Sequence, residues 1–266
     1  MRIIVPIKQV PETDQVQMDP ETGTVIRRGL SAIINPLDLY ALETALQIKE
    51  THGGTIIALS MGPKLAEKAL REALALGCDR AILLTDRKFA GSDTWATAYT
   101  LSQAIRKCYP IDLIICGERA TDGDTGQVGP GIASFLDLPL ATYVDRTLGF
   151  VDGGLRVRRM VESGSETIWT QLPSVITVVK DIAHPRFPTL KQKLNAKKSE
   201  VITWDADDLE LDPVSLGLSG SPTRVVKIEN SKLSREGELI KATSPEDIDH
   251  AADRIIAFLV EHHFID

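Results

Sequence analysis

The sequence predicts an α/β fold: a mostly parallel sheet flanked by helices, with a small antiparallel extension and a C-terminal arm. Three observations lead there. Through the first half, short runs rich in Ile, Val and Leu alternate with stretches of helical spacing. Those runs are apolar throughout, the pattern of strands covered on both faces. From about Tyr143 the pattern changes to short strands around Asp152-Gly153-Gly154 and Ser163-Gly164, as in an antiparallel meander.

The elements follow in order. Ile3–Val10 is a β-branched apolar run. Leu37–Lys49 has helical spacing, with Asn35 as a capping residue, Pro36 at the first helical position and Asp38 suited to the positive helix end. Gly53-Gly54 stops it and Thr55–Leu59 reads as a strand. Lys64–Leu76 is an amphipathic helix ended by Gly77, and Ala81–Thr85 the next strand. Thr94–Lys107 is a helix capped by Ser92 or Asp93; Leu113–Cys116 is a strand and Gln127–Leu136 a helix. Thr147–Phe150, Leu155–Met160 and Glu166–Gln171 form the meander, and the apolar Val175–Val179 rejoins the main sheet. A Pro-rich and then basic stretch follows, then an acidic, helical Asp205–Leu211 and a Gly/Ser/Pro linker at Leu216–Pro222. Pro245–His262 is a last amphipathic helix, started by Ser244-Pro245-Glu246. The expected division is a main domain over residues 1–219, including the insert at about 143–172, and an arm over 220–266.

Composition narrows the function. The 266 residues are 43% hydrophobic and 25% charged, which is ordinary for a globular chain. A formal charge of −7 argues against nucleic acid and anionic membrane as partners. No stretch approaches the ~18 apolar residues of a membrane span, and the N-terminus enters a strand without the features of a signal peptide. Cys78, Cys108 and Cys116 are odd in number and scattered, which fits buried thiols in a reducing cytoplasm. The five histidines lack metal-ligand spacing, and no metal site is expected.

Ligands of parallel sheets bind beyond the carboxyl ends of the strands, which directs attention to the loops there. The strongest is Gly117–Pro130, GERATDGDTGQVGP. Its glycines allow close backbone approach, and its amides meet the positive end of the next helix, so it can hold phosphate without a lysine. Thr121, Thr125 and Gln127 add neutral donors, while Asp122 and Asp124 serve as turn acceptors that tie the loop to itself. An ordinary strand–helix connection is the other reading. In Asp86–Thr97, Ser92, Asp93 and Thr94 place hydroxyls at a helix N-terminus, which capping alone also explains. Asn35, Asp38 and Met61-Gly62 are weaker candidates; four loops on one sheet edge together suit a long nucleotide. The fold is thus Rossmann-like, but without G-x-G-x-x-G, a Walker loop or a nucleophile motif. A nucleotide site without catalytic side chains leaves the chemistry to a cofactor. The basic run Lys191–Lys198 reads either as a solvated face or, with Phe187, Pro188 and Leu190 beside it, as a docking loop with an apolar anchor and basic steering.

These residues resemble the β subunit of electron-transferring flavoproteins along nearly the whole chain. The matching stretches are VPIKQVP at Val5–Pro11, NPLD at Asn35–Asp38, SMGP at Ser60–Pro63, ATDGDTGQVGP at Ala120–Pro130, and the signature region Val157–Thr177. Ser163 departs from the acidic residue or Gly usual there. FAGSDTWAT at Phe89–Thr97, the short DGDTGQVGP loop and GSPTRV at Gly220–Val225 resemble the flavin-based bifurcating branch, as in complexes with caffeyl-CoA reductase or lactate dehydrogenase. The resemblance implies a heterodimer with an α subunit. It also implies one FAD in this chain where ordinary members hold AMP. That FAD takes hydride from NAD(H). One electron goes to ferredoxin or flavodoxin, the other through the α-subunit FAD to a dehydrogenase containing FAD, of acyl-CoA or lactate type.

The resemblance places adenosine and phosphates against Pro6, Asn35, Asp38, Met61, Gly62 and the loop Gly117–Val128, namely Gly117, Arg119, Ala120, Thr121, Asp122, Gly123, Asp124, Thr125, Gly126, Gln127 and Val128. It places Phe89, Gly91, Ser92, Asp93, Thr94 and Thr97 near the flavin half and the nicotinamide. A recognition loop over about 184–198 would dock the dehydrogenase through Phe187, Leu190, Lys191 and Lys193, and the arm after Gly220 would reach the α subunit. No side-chain acid or base is expected. Three alternatives stand beside this: an ordinary β subunit with structural AMP, an adenine-nucleotide hydrolase or ligase of similar fold, and a homodimeric stress-type nucleotide module.

Overall fold

The computed structural model describes residues 1–12, 32–226 and 239–265. The chain divides into two compact units, Met1–Lys227 and Ile228–Asp266. The first unit begins with β1 (Arg2–Pro6), whose Ile3, Ile4 and Val5 are fully buried. At Lys8 the chain leaves that strand's path. The Lys8 N–H donates to Asp38 Oδ2 at 2.7 Å, and its carbonyl accepts from Asn35 N at 2.8 Å. The single strand expected over Ile3–Val10 is therefore two. Its second part, β2 (Gln9–Pro11), pairs antiparallel with β3 (Ala32–Ile34) as a separate ribbon.

Then α1 (Pro36–His52) starts on its proline and stops at Gly53, whose φ of 69° suits glycine. Next come β4 (Thr55–Met61) and α2 (Glu67–Leu76). A 3-10 turn at Lys64–Ala66 replaces the first turn of the single helix expected from Lys64, because the Ala66 amide bonds back to Pro63 O. β5 (Arg80–Leu84), α3 (Thr94–Lys107), β6 (Leu113–Gly117) and α4 (Val128–Leu136) complete the alternation.

The chain continues with β7 (Leu140–Val151), β8 (Gly154–Val161), β9 (Gly164–Gln171) and β10 (Ser174–Val178). The short strand expected at Thr147–Phe150 is the end of the 12-residue β7, which belongs to both parts of the sheet. Its start pairs parallel with β10, and its end pairs antiparallel with β8, with register shifts on both sides. α5 (Leu190–Lys198) occupies the basic stretch, and β11 (Ile202–Trp204) adds an edge strand that the sequence did not announce. The expected acidic helix at Asp205–Leu211 is only a 3-10 turn, Asp207–Leu209, since Asp205 and Asp208 side chains accept the local amides. The expected linker Leu216–Pro222 contains the short helix α6 (Gly217–Gly220), and its Leu216 and Ser221 are buried. Apolar Leu216 and the hydroxyl bonds of Ser221 fix it.

The nine strands run β11-β5-β4-β1-β6-β10-β7-β8-β9, parallel from β11 to β7 and antiparallel beyond. Ile56 faces Ile3 and Ala58 faces Val5 across β4 and β1. One face of the sheet (Ile3, Val5, Ala58, Ile115) packs on α1 and α2; the other (Ile4, Leu59, Ile82, Ile114) packs on α3 and α4. The chain first builds outward from β1 to β5 and then crosses to β6 on the other side. The switch point lies between β1 and β6, where open α/β sheets bind ligands.

In the second unit, α7 (Pro245–Glu261) carries a capping box between Ser244 and Asp247 and buries none of its residues. The arm expected over 220–266 falls partly on 227–238 and on 266, outside the described residues. No helix among the described residues is long and apolar enough to cross a membrane.

Candidate functional site

A cleft of about 390 Å³ opens at the switch point, lined from the carboxyl ends of β1, β4, β5 and β6. That volume lies within the range of small-molecule sites. One wall is the loop from β6 into α4. Asp124 and Gly126 take left-handed φ values of 54° and 63°, a pattern that curls successive amides into a concave run. The amides of Thr125, Gly126, Gln127 and Val128 have no hydrogen-bond partner among the described residues. Gln127 caps α4 without a side-chain bond to it, so the positive helix end stays open.

The loop is held from behind. Asn35 does not cap α1 with its side chain, contrary to expectation. Its Nδ2 donates to Arg119 O at 2.9 Å and its Oδ1 accepts from Thr121 N at 3.2 Å. Asp122 and Asp124 are not turn acceptors either. Asp122 pairs with Lys8 Nζ at 2.6 Å and Asp124 with Arg119 Nε at 2.9 Å. Carboxylates close to a cation gain more from pairing than from a turn amide. The cations at the cleft are thereby occupied, and a phosphate would meet backbone amides instead.

The opposite wall is Phe89–Thr97. Asp93 is the α3 cap, accepting from Trp95 N at 2.9 Å and Ala96 N at 3.1 Å. Burial pushes the Asp93 carboxyl up, but the bonds from Ala96, Thr223 and Trp95 outweigh it and hold it below the usual range. Ser92 does not cap; its hydroxyl donates to Phe89 O. Thr94 Oγ1 donates to Gln127 Oε1 at 2.9 Å, so the two candidate loops meet across the cleft mouth. Phe89, Met61 and Leu101 make the floor apolar.

Asp38 sits at the base, where it joins the ends of β1 and β6. It is buried and bonded by Lys8 N, Asn35 and Gly117 N. Burial dominates and pushes its carboxyl from 3.8 to about 7. It therefore acts within the strand ends rather than as a surface acid on the helix dipole, as expected from sequence. A Cβ on Gly117 would stand 2.5 Å from Asp38 Oδ1, so glycine is needed for this closeness. Burial, with Asp38 nearby, also pushes the Cys116 thiol up and keeps it inert.

Of the residues singled out from sequence, Pro6, Asp38, Met61, Phe89, Gly91, Ser92, Asp93, Thr94, Thr97, Gly117, Arg119, Ala120, Gly123, Thr125, Gly126, Gln127 and Val128 line this one cleft. Asn35, Gly62, Thr121, Asp122 and Asp124 do not; they brace it, Gly62 through a bond from its N–H to Leu84 O. Glu118 and Gly129, inside the Gly117–Pro130 loop singled out from sequence, also line it; the sequence reading missed Ile7, Lys8, Leu101 and Cys116. Ile7 and Lys8 were hidden inside an over-long strand, whereas Leu101 follows Thr97 at i+4 and could have been found by helical spacing.

A second feature lies away from the cleft. Phe187 and Leu190 are 94% and 74% exposed, and Leu194 is exposed one turn beyond Leu190. Lys191 and Lys193 flank them on α5, which Thr189 and Gln192 start with a capping box. Arg186 ties the segment to Glu43 and Glu50 of α1, and Arg71 of α2 donates to the carbonyls of Ala196 and Ser199. No cluster of potential metal ligands occurs among the described residues.

Comparison with known proteins agrees with this architecture. The model of the electron transfer flavoprotein domain matches residues 22–209. The electron transfer flavoprotein subunit beta of Thermoanaerobacterium thermosaccharolyticum is 48% identical over 96% of this chain and 98% of its own. The caffeyl-CoA reductase-Etf complex subunit CarD of Acetobacterium woodii is 42% identical over the full length of both. The protein FixA of Azotobacter vinelandii is 45% identical over 95% of this chain and 93% of its own. With a family model over most of its length and relatives aligned end to end, the chain belongs to the electron transfer flavoprotein β-subunit family.

Proposed function

We propose that the chain is the β subunit of an electron-bifurcating flavoprotein whose cleft holds FAD. The observation that carries this is one cleft with two unlike walls. The unpartnered amides Thr125–Val128 suit a phosphate, and the apolar Phe89–Thr97 side, tied to them by Thr94 and Gln127, leaves room for a second half. The amide run fits an anion, and the floor of Phe89, Met61 and Leu101 fits a flat apolar ring. The residues of this cleft would hold FAD, and the bound flavin would supply the redox chemistry, hydride acceptance from NADH and single-electron transfer toward ferredoxin or flavodoxin and the α-subunit FAD. The chain's own residues bind, orient and enclose. Asp38 braces the strand ends and Asn35 holds the loop.

The α5 segment would dock the dehydrogenase, with Phe187 and Leu190 as anchors and Lys191 and Lys193 steering. The name of the Acetobacterium relative supports an acyl-CoA reductase as that partner's class. Anaerobic mixing with NADH, a dehydrogenase with its oxidised substrate, and ferredoxin or flavodoxin tests the reading. The low-potential acceptor should be reduced only while the dehydrogenase turns over. Dehydrogenase turnover that never reduces it would overturn bifurcation and leave an ordinary carrier with AMP in the cleft.

A further inference from the structure

We propose that Thr223 and Ser221 are positioning residues: acting through Asp93, they hold the cleft wall that takes the flavin half of the nucleotide. The proposal rests on the FAD reading above. Asp93 Oδ2 accepts from Thr223 N at 3.0 Å and from Thr223 Oγ1 at 2.8 Å. The Asp93 amide donates to Ser221 Oγ at 2.8 Å, and that buried hydroxyl donates to Gly217 O at 2.7 Å. Leu218 N donates to Ala90 O at 3.1 Å, and a Cβ on Gly91 would stand 3.2 Å from Leu218 Cβ. The wall is thus one face of a two-segment unit, joined across 130 residues of sequence.

Two consequences follow. With one Asp93 oxygen capping α3 and the other held by Thr223, the Trp95 and Ala96 amides of α3 are taken. The phosphate is left to the open end of α4, and the α3 side is free to accommodate an uncharged ring. The strap therefore acts on the flavin half and leaves the adenosine-phosphate half to Asp38, Asn35 and the amide run. FAGSDTWAT and GSPTRV, distant in sequence, belong together because they form this unit.

The test uses Thr223→Val, Ser221→Ala and the restoring Thr223→Ser in the complete heterodimer, depleted of nucleotide and titrated with FAD and with AMP. The FAD site that AMP displaces is the one in this chain. Removing the Thr223 hydroxyl bond to the Asp93 carboxylate, or the Ser221 hydroxyl that takes the Asp93 amide, should weaken FAD at that site about tenfold and leave AMP within about twofold, with Thr223→Ser near wild type. AMP binding shows that each variant is folded. Equal weakening of both nucleotides, or of neither, overturns the inference while the FAD reading stands. A wild-type heterodimer with no AMP-displaceable FAD overturns both.

Discussion

Asn35→Ala should detach the phosphate wall from the rest of the fold. The side chain is fully buried, and its two amide atoms bond Arg119 O and Thr121 N at 2.9 and 3.2 Å. Each such bond contributes about 1 kcal/mol net, and a buried backbone group left unpaired costs about 1–3 kcal/mol. The second bond is long and both reach partly exposed backbone, so the pair sums to about 2–4 kcal/mol. Global unfolding would register this as roughly 2–4 °C per kcal/mol. The bonded groups lie on one loop, however, and loops open locally before the core does. The expected outcome is nucleotide affinity reduced about 30-fold or more, from 1.4 kcal/mol per tenfold. The thermal midpoint of the nucleotide-free protein should fall by only a few degrees. Titration calorimetry and thermal melts, with and without nucleotide, measure both. An unchanged affinity beside a large fall in midpoint would refute the reasoning, because Asn35 would then stabilise only the core.

Other outcomes follow from the same structure. The Asp38 carboxyl is raised from 3.8 to about 7, so the folded state holds its proton more tightly than the unfolded chain. Its contribution is fully present below pH ~4 and is lost as pH rises to about 7, about 4 kcal/mol in all at 1.36 kcal/mol per pH unit. Denaturation midpoints of Asp38→Asn should show less decline than wild type between pH 5 and 7; parallel curves would contradict the burial argument. Leu190→Ala should raise the KM for the dehydrogenase about tenfold or more, without changing nucleotide content, as for a buried interface anchor. Arg186→Gln leaves the buried Glu43 without its charged partner and frees the start of the α5 segment, at a cost of about 2–3 kcal/mol. Its KM should move in the same direction as that of Leu190→Ala, and the double variant should fall short of additivity. Full additivity would mean that Arg186 does not act through α5.

The alternation of strands and helices was legible because β1, β4, β5 and β6 are almost wholly apolar and the first two helices stop at Gly53 and Gly77. Thr94–Lys107 was legible to the residue because Asp93 caps it locally. Several of the departures share one cause: a side chain distant in sequence took a backbone group. Asp38 broke the first strand at Lys8, and Asn35 left its helix to hold Thr121. Lys8 and Arg119 claimed the two loop aspartates. The apparent linker was fixed by Asp93. Glycine and hydroxyl content reads as a turn in sequence, but a hydroxyl that finds a half-buried carboxylate becomes a strap. The cleft itself was legible as four strand ends, since a parallel sheet places those loops together whatever their sequence.

The most direct test of the central claim is the nucleotide content of the purified heterodimer. The account expects two FAD per heterodimer, no AMP, and rapid bleaching by NADH of the flavin held by this chain. One FAD with one AMP would contradict it and return the cleft to a structural nucleotide.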